Sequence, residues 1–151
     1  MTNKITPTPD FEARVRASFG RQAFMETLGA TLERVEAGSV EIHLPARADL
    51  VQQHGFLHAG AVAAIADSAC GYAAFSLMPA DSGVLTVEYK INLLAPAKGD
   101  VLIARGRVVR AGRTLSVCQA EVSARTGGEE QSIALLVATI MTVRDNPGVR
   151  E

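Results

Sequence analysis

Cysteine is scarce in this 151-residue chain: Cys70 and Cys118 are the only two, and they form no recognisable disulfide or metal framework. A reducing, cytoplasmic setting is therefore expected. Basic runs are missing too. The formal net charge is -1, so duplex nucleic acid is not expected as a partner. The opening Met1–Asp10 is polar, carries Pro7 and Pro9, and lacks the apolar core of a secretory signal. There is no Gly-x-Ser-x-Gly elbow, so a Ser–His–Asp hydrolase site of that kind is not expected. There is no His-Glu-x-x-His either; His54 and His58 stand four apart without that glutamate, and no metal site is expected.

What is present is a globular composition, 48% hydrophobic and 21% charged. A single domain spanning 1–151 is expected, long enough to bury about 70% of its unfolded surface, with 1–9 and 145–151 as flexible ends. The apolar run Ala59–Met78 approaches the length of a membrane span. Asp67 sits at its middle, however, and Ala and Gly dominate it rather than Leu. A charge at a bilayer centre costs about 3 kcal/mol or more, so the run reads as a helix buried inside a soluble protein.

Around that run the periodicity changes. Phe11, Val15, Phe19 and Ala23 recur four apart and predict a helix over Asp10–Phe24. Strands are expected over Ala30–Val35 and Ser39–Leu44, joined by a tight turn at Glu36-Ala37-Gly38, followed by an irregular segment Pro45–Leu57. After the helix, Leu85, Val87, Tyr89, Ile91 and Leu93 alternate with polar residues, the pattern of a half-buried strand. Further strands are expected over Val101–Val109, Thr114–Arg125 and Gln131–Val143, with turns at Pro96–Asp100, Ala111-Gly112-Arg113 and Gly127-Gly128. Ile133–Val137 is apolar on both faces and predicts a central, doubly covered strand. The result is an α+β class: an antiparallel sheet must curl around the apolar helix to bury it. Such a sheet keeps edges, which edge-to-edge dimerisation protects.

Asp67 is the most informative residue. At about 100° per residue, Gly60, Ala63, Ala64, Asp67, Gly71 and Ala74 share one helix stripe. A carboxylate there is costly unless paired, hydrated or used, and its small neighbours leave room for a thin ligand or another chain. Burial as a cap on a backbone amide is the alternative reading. Ahead of the helix runs Gln52-Gln53-His54-Gly55-Phe56-Leu57-His58-Ala59-Gly60. Amides at a helix start carry the positive end of its dipole and hold anions or developing oxyanions, and Ala59 and Gly60 do not obstruct approach.

The pattern Gln52-x-x-Gly55-x-x-His58-Ala59-Gly60 followed by Asp67 resembles the active-site signature of PaaI-like hotdog thioesterases, relatives of the 4-hydroxybenzoyl-CoA thioesterases, over about Phe24–Val143. The resemblance implies a hotdog fold, a curved antiparallel sheet wrapped around a long central helix. It implies a homodimer, or a dimer of dimers (a homotetramer), and metal-free hydrolysis of an acyl-CoA with no cofactor, since coenzyme A is part of the substrate. By position, Asp67 would be the nucleophile or general base and the Ala59 N–H would polarise the thioester carbonyl. Gln52 would lie near the thioester, and Thr86 would orient the carboxylate or the attacking water. Asp67 would face Ala59 and Gln52 of the other subunit. Ala59 departs from the family's usual Gly, which keeps the N–H but adds a methyl.

His54, Gly55, His58 and Gly60 are expected to shape the substrate loop, with His58 structural at the helix start. Arg110 and Arg113 suit the phosphates of the CoA nucleotide or are incidental charges on a solvated turn; Lys90 and Lys98 are weaker candidates. Cys70 is expected as a small buried hydrophobe, and Ser68 is expected to point away from Asp67. The competing functions are a hotdog hydratase/dehydratase, which uses a His beside a Pro-rich loop not found here, and a non-catalytic acyl-CoA-binding protein, which has no need of Asp67.

Overall fold

The computed structural model describes residues 6–149. Its elements run α1 Phe11–Gly20, α2 Ala23–Leu28, β1 Thr31–Glu36, β2 Ser39–Pro45, a single 3-10 turn Ala48–Leu50, α3 Ala59–Phe75, β3 Gly83–Leu93, β4 Val101–Arg110, β5 Leu115–Thr126 and β6 Glu129–Val143. The described residues form one antiparallel sheet in the order β1-β2-β4-β5-β6-β3, and α3 packs across its strands. This is the α+β architecture expected from the change of period.

Burial of α3 explains the composition of the long apolar run. Val62, Ile65, Ala66, Ala69, Cys70, Ala73 and Phe75 are buried against β-strand residues such as Ile42, Leu44, Leu102 and Leu136. The helix stops at Phe75 instead of Met78. Ser76 ends it, its hydroxyl donating to the Ala73 carbonyl at 2.7 Å and accepting from the Gly38 N–H at 2.7 Å. Helix and sheet approach closely at Gly106 of β4, where a Cβ would strike the Ala69 carbonyl of α3. Gly106→Ala is expected to cost about 1–3 kcal/mol through overpacking. A lower urea midpoint at unchanged slope would register it; an unchanged midpoint would show that the two elements separate freely.

Three sequence expectations change. The single helix over Asp10–Phe24 is two, because the chain leaves helical geometry after Gly20: Arg21 donates back to Ser18, and Gln22 is extended with φ -81° and ψ 90°. Glycine weakens a helix interior by about 1 kcal/mol, and the break lets Met25 and Leu28 bury. On β3 the alternation is interrupted by a bulge between Thr86 and Glu88. Val84 and Thr86 pair with Thr142 and Ile140, whereas Tyr89, Ile91 and Leu93 pair with Ala138, Leu136 and Ala134. All five partners are buried. The inward set is thus Val84, Thr86, Tyr89, Ile91 and Leu93. Leu85 leaves it, and Val87, the extra residue of the bulge, is 54% exposed. Finally, β6 is interior but covered on one face only: Ala134, Leu136, Ala138 and Ile140 are buried, while Val137 is 44% exposed.

β3 is an edge of the sheet, with its far side unpaired among the described residues. The other edge, β1, carries Glu33, Arg34 and Glu36, charges that discourage pairing. Of the ends expected to be flexible, 1–5 and 150–151 lie outside the described residues. Within the remainder, Thr8 Oγ1 accepts from Arg14 Nη1 at 3.0 Å, and Val149 packs where a Gly83 side chain would stand. No helix among the described residues is long and apolar enough to cross a membrane.

Candidate active site

The loop before α3 folds on itself. Val51 bridges Leu57, the Gln52 N–H donates to the Phe56 carbonyl at 2.8 Å, and the Gly55 N–H donates to the Gln52 carbonyl at 2.9 Å. Gly55 turns the chain at φ 83°, a conformation that glycine adopts without steric cost. The Gln52 side-chain oxygen accepts from the His54 N–H at 2.6 Å, so this side chain is fixed by its own loop.

His58 begins α3 in the role expected of a structural residue. It caps the helix, its Nδ1 accepting from the Gly60 N–H at 2.8 Å, which puts the ring proton on Nε2. Gly60 must lack a side chain here, because a Cβ would lie 2.9 Å from that same Nδ1. The Gly60 N–H is therefore spent on the cap. The Ala61 and Val62 amides donate to the His58 carbonyl. The Ala59 N–H, at the positive end of a seventeen-residue helix, has no acceptor among the described residues. Ala59 lines a 580 Å³ cleft together with Gln52, His54, His58, Leu93 and Ile133.

Asp67 lies on the neighbouring side of α3. Thr86 Oγ1, turned inward by the β3 bulge, donates to Asp67 Oδ1 at 2.8 Å; Asp67 Oδ2 has no hydrogen-bond partner among the described residues. Burial raises the Asp67 pKa above the ordinary carboxylate value, and the Thr86 hydrogen bond opposes part of that rise. A 370 Å³ cavity joins Asp67 to Gly60, Ala63, Ala64, Phe24 and Tyr89. A smaller one, 110 Å³, joins it to Thr86, Gly71, Tyr72 and Val84. Gln22 and Ser68 line both. Ser68, expected to point away from Asp67, donates to Gln22, and the cavities wrap far enough around the helix to include it. Gln22 went unnoticed in the sequence because the predicted helix ran straight through it.

Within one chain the expected site residues fall into separate places. Gln52, His54, His58 and Ala59 share one cleft, Asp67 and Gly60 line another, and Thr86 meets Asp67 in the smaller cavity. Arg113 lines a fourth cavity, of 500 Å³, beside Leu77, Met78, Ser116 and Arg144, at the C-terminal end of α3. Arg110 ends β4 and is exposed. Lys90 lies on the sheet face away from α3, opposite Val137, and Lys98 is exposed in the following turn. Cys70 and Cys118 are wholly buried; burial raises both thiols, that of Cys118 to about 12. They stay protonated and act as core. Among the described residues, no group of three or more His, Cys, Asp or Glu side chains converges as a metal site would.

Residues 54–131 match the family described as the Thioesterase superfamily. The 1,4-dihydroxy-2-naphthoyl-CoA hydrolase of Listeria monocytogenes is 25% identical over 101 residues, covering 67% of this chain and 82% of that protein. A thioesterase family protein from Silicibacter pomeroyi has the same architecture, with a TM-score of 0.87 at 50% identity, over 89% of this chain and 98% of that one. The PaaI protein of the E. coli phenylacetic acid degradation operon superposes with a TM-score of 0.81 at 20% identity, over 91% and 96% of the two chains, a likeness of fold.

Proposed function

Because the chain belongs to the thioesterase superfamily and has its hotdog fold, we propose that it hydrolyses an acyl-CoA, with Asp67 acting at the thioester carbon and the Ala59 N–H on the carbonyl oxygen. The chain is a thioester hydrolase. The observation that carries the role of Asp67 is its hydrogen bond of 2.8 Å from Thr86, which fixes one carboxylate oxygen and leaves the other available.

The chemistry follows from those groups. As general base, Asp67 removes a proton from water while the water oxygen bonds to the carbonyl carbon and the C=O electron pair moves onto oxygen. A fixed amide at that oxygen stabilises the new charge by about 3–4 kcal/mol. Collapse re-forms the C=O and breaks the C–S bond, and the proton held by Asp67 goes to the departing sulfur. As nucleophile, Asp67 bonds to the carbon itself, the thiolate leaves, and water then cleaves the resulting anhydride. Thiolate leaves readily, so neither route needs a strong general acid.

Asp67 and Ala59 are eight residues apart, about 12 Å along the helix axis, and line different cavities. That separation supports a site shared between subunits: a homodimer joined through the apolar β3 edges, with Asp67 of one facing Ala59 and Gln52 of the other. Dimers would pair further into a tetramer through the exposed outer face around Val117 and Val137. Arg113 and Arg110 would meet the CoA phosphates, and His54 and Gly55 would border the entrance. The cytoplasm is the proposed location.

Free-thiol release across a panel of acyl-CoAs tests the reading; a panel with no turnover would end it. Either role needs ionised Asp67. Because burial raises its pKa, the acidic limb of kcat/KM should lie above the ordinary carboxylate range. Thr86→Val removes the bond that lowers this pKa, so the limb should move still higher; a limb that stayed put would separate Thr86 from the reacting carboxylate.

A further inference from the structure

The break between α1 and α2 delivers one polar side chain to the neighbourhood of Asp67. α1 is held on α3 by an edge contact between Phe19 and Tyr72, 5.7 Å between ring centroids, and by a 3.2 Å hydrogen bond between Ser18 and Tyr72. Three residues after Phe19, the Gln22 backbone is fixed from both sides: its N–H donates to the Phe19 carbonyl at 3.0 Å, and its carbonyl accepts from Met25 at 3.0 Å and Glu26 at 3.3 Å. Its side-chain oxygen lies 3.4 Å from the donating Ser68 hydroxyl. The Gln22 amide hydrogens have no acceptor among the described residues. Gln22, Asp67 and Ser68 form the wall common to the 370 Å³ and 110 Å³ cavities.

Those cavities differ in character. The larger is bordered by Phe24, Met25, Ala63, Ala64 and Tyr89, surfaces suited to an acyl group. The smaller is lined by the polar residues Gln22, Ser68 and Thr86 together with Asp67, with Thr86 bonded to the carboxylate and Ser68 to Gln22. A site for water needs at least about 10–15 Å³ and two to four polar partners, and this one offers both.

We propose that Gln22 is a positioning residue of this enzyme: with Ser68 and Thr86 it holds, in the small cavity beside Asp67, the water that hydrolysis consumes. The proposal rests on the acyl-CoA thioesterase reading above, and it holds for either role of Asp67, since water attacks the thioester in one route and the anhydride in the other. Orientation of that water is what Gln22 contributes; Gln22 itself exchanges no proton.

The test uses the full chain and an acyl-CoA that the parent enzyme turns over. Gln22→Met keeps the length and removes the amide. It should lower kcat about tenfold, the scale of one neutral hydrogen bond, with KM within about twofold. Ser68→Ala combined with Gln22→Met should cost less than the product of the single losses, because the two side chains act as one unit. Gln22→Glu should raise the acidic limb of kcat by about one pH unit, since a second carboxylate beside Asp67 disfavours ionisation of both, a shift that a purely structural residue would not produce. A Gln22→Met enzyme with unchanged kcat, or a loss confined to KM, overturns the proposal, as does an acidic limb unmoved in Gln22→Glu. Asp67→Asn keeps the two readings apart: full activity in that variant sinks the thioesterase mechanism, whereas an inactive Asp67→Asn beside an unaffected Gln22→Met sinks only the role of Gln22.

Discussion

Asp67→Asn should lower kcat for acyl-CoA hydrolysis by about 10²–10⁴-fold while leaving the fold intact. The amide keeps the shape of the carboxylate and a side-chain oxygen to accept from Thr86 Oγ1. It cannot take a proton from water or bond to the thioester carbon as an anion. The same substitution should also change stability, and the sign is fixed by burial. The Asp67 pKa is raised in the folded protein, so its ionised form is less welcome there than in the unfolded chain. Its contribution to stability is most favourable at low pH and is lost as pH rises through the folded-state pKa. At neutral pH the neutral Asn avoids that cost. The variant should therefore melt at a higher temperature than the parent at pH 7, with the difference shrinking as the buffer is taken below the ordinary carboxylate range. Thermal scans at both pH values, beside thiol-release kinetics, check the two halves. A variant that turns over normally removes Asp67 from the chemistry. One that is inactive but clearly less stable at pH 7 would mean that the carboxylate supports the fold.

This pairing of lost activity with gained stability follows from where Asp67 lies, and that much was legible in the sequence. A single acid in a twenty-residue apolar run, on a stripe of Gly and Ala, has few structural explanations, and the Gln52–Gly60 segment supplied a helix start beside it. The strands were legible because their ends coincide with Gly, Pro and charged turns, and observed boundaries fall within about two residues of those expected. The bulge at Val87 was not. Residues 85–93 alternate without interruption, and an extra residue is visible only against a partner strand, here β6. The bulge nonetheless decides the site, because it turns Thr86 inward to Asp67. Gln22 was hidden for a related reason. Apolar residues four apart continue across Gly20 to Ala23, so the pattern reads as one helix with Gln22 on its polar side. The apolar outer residues of β6 misled in the opposite direction. Apolar sequence records what a surface is built to meet, and Val137 is left 44% exposed on the face away from α3.

The Ala59 N–H can be tested despite being part of the backbone, because Ala59 is the first residue of α3. Proline is well tolerated at that position, where the missing N–H would make no helical hydrogen bond. The residue before a proline must be extended, and His58 already is, with φ -64° and ψ 138°. Ala59→Pro thus deletes one donor while the helix, the His58 cap on Gly60 and the Asp67–Thr86 hydrogen bond stay in place. If that N–H stabilises the developing oxyanion, kcat should fall about 10²–10³-fold. The acidic limb of the pH profile should not move, since Asp67 lies two turns further along α3, and the melting temperature should change by no more than a few degrees. Two controls isolate the donor from the bulk of the proline ring. Ala59→Val adds similar volume and keeps the N–H, so it should retain far more activity than Ala59→Pro. Ala59→Gly keeps the N–H and removes the methyl, so it should equal or exceed the parent. Equal losses in Ala59→Val and Ala59→Pro would show that space, and not the amide, governs this end of the helix. A fully active Ala59→Pro would move the oxyanion contact elsewhere in the 580 Å³ cleft.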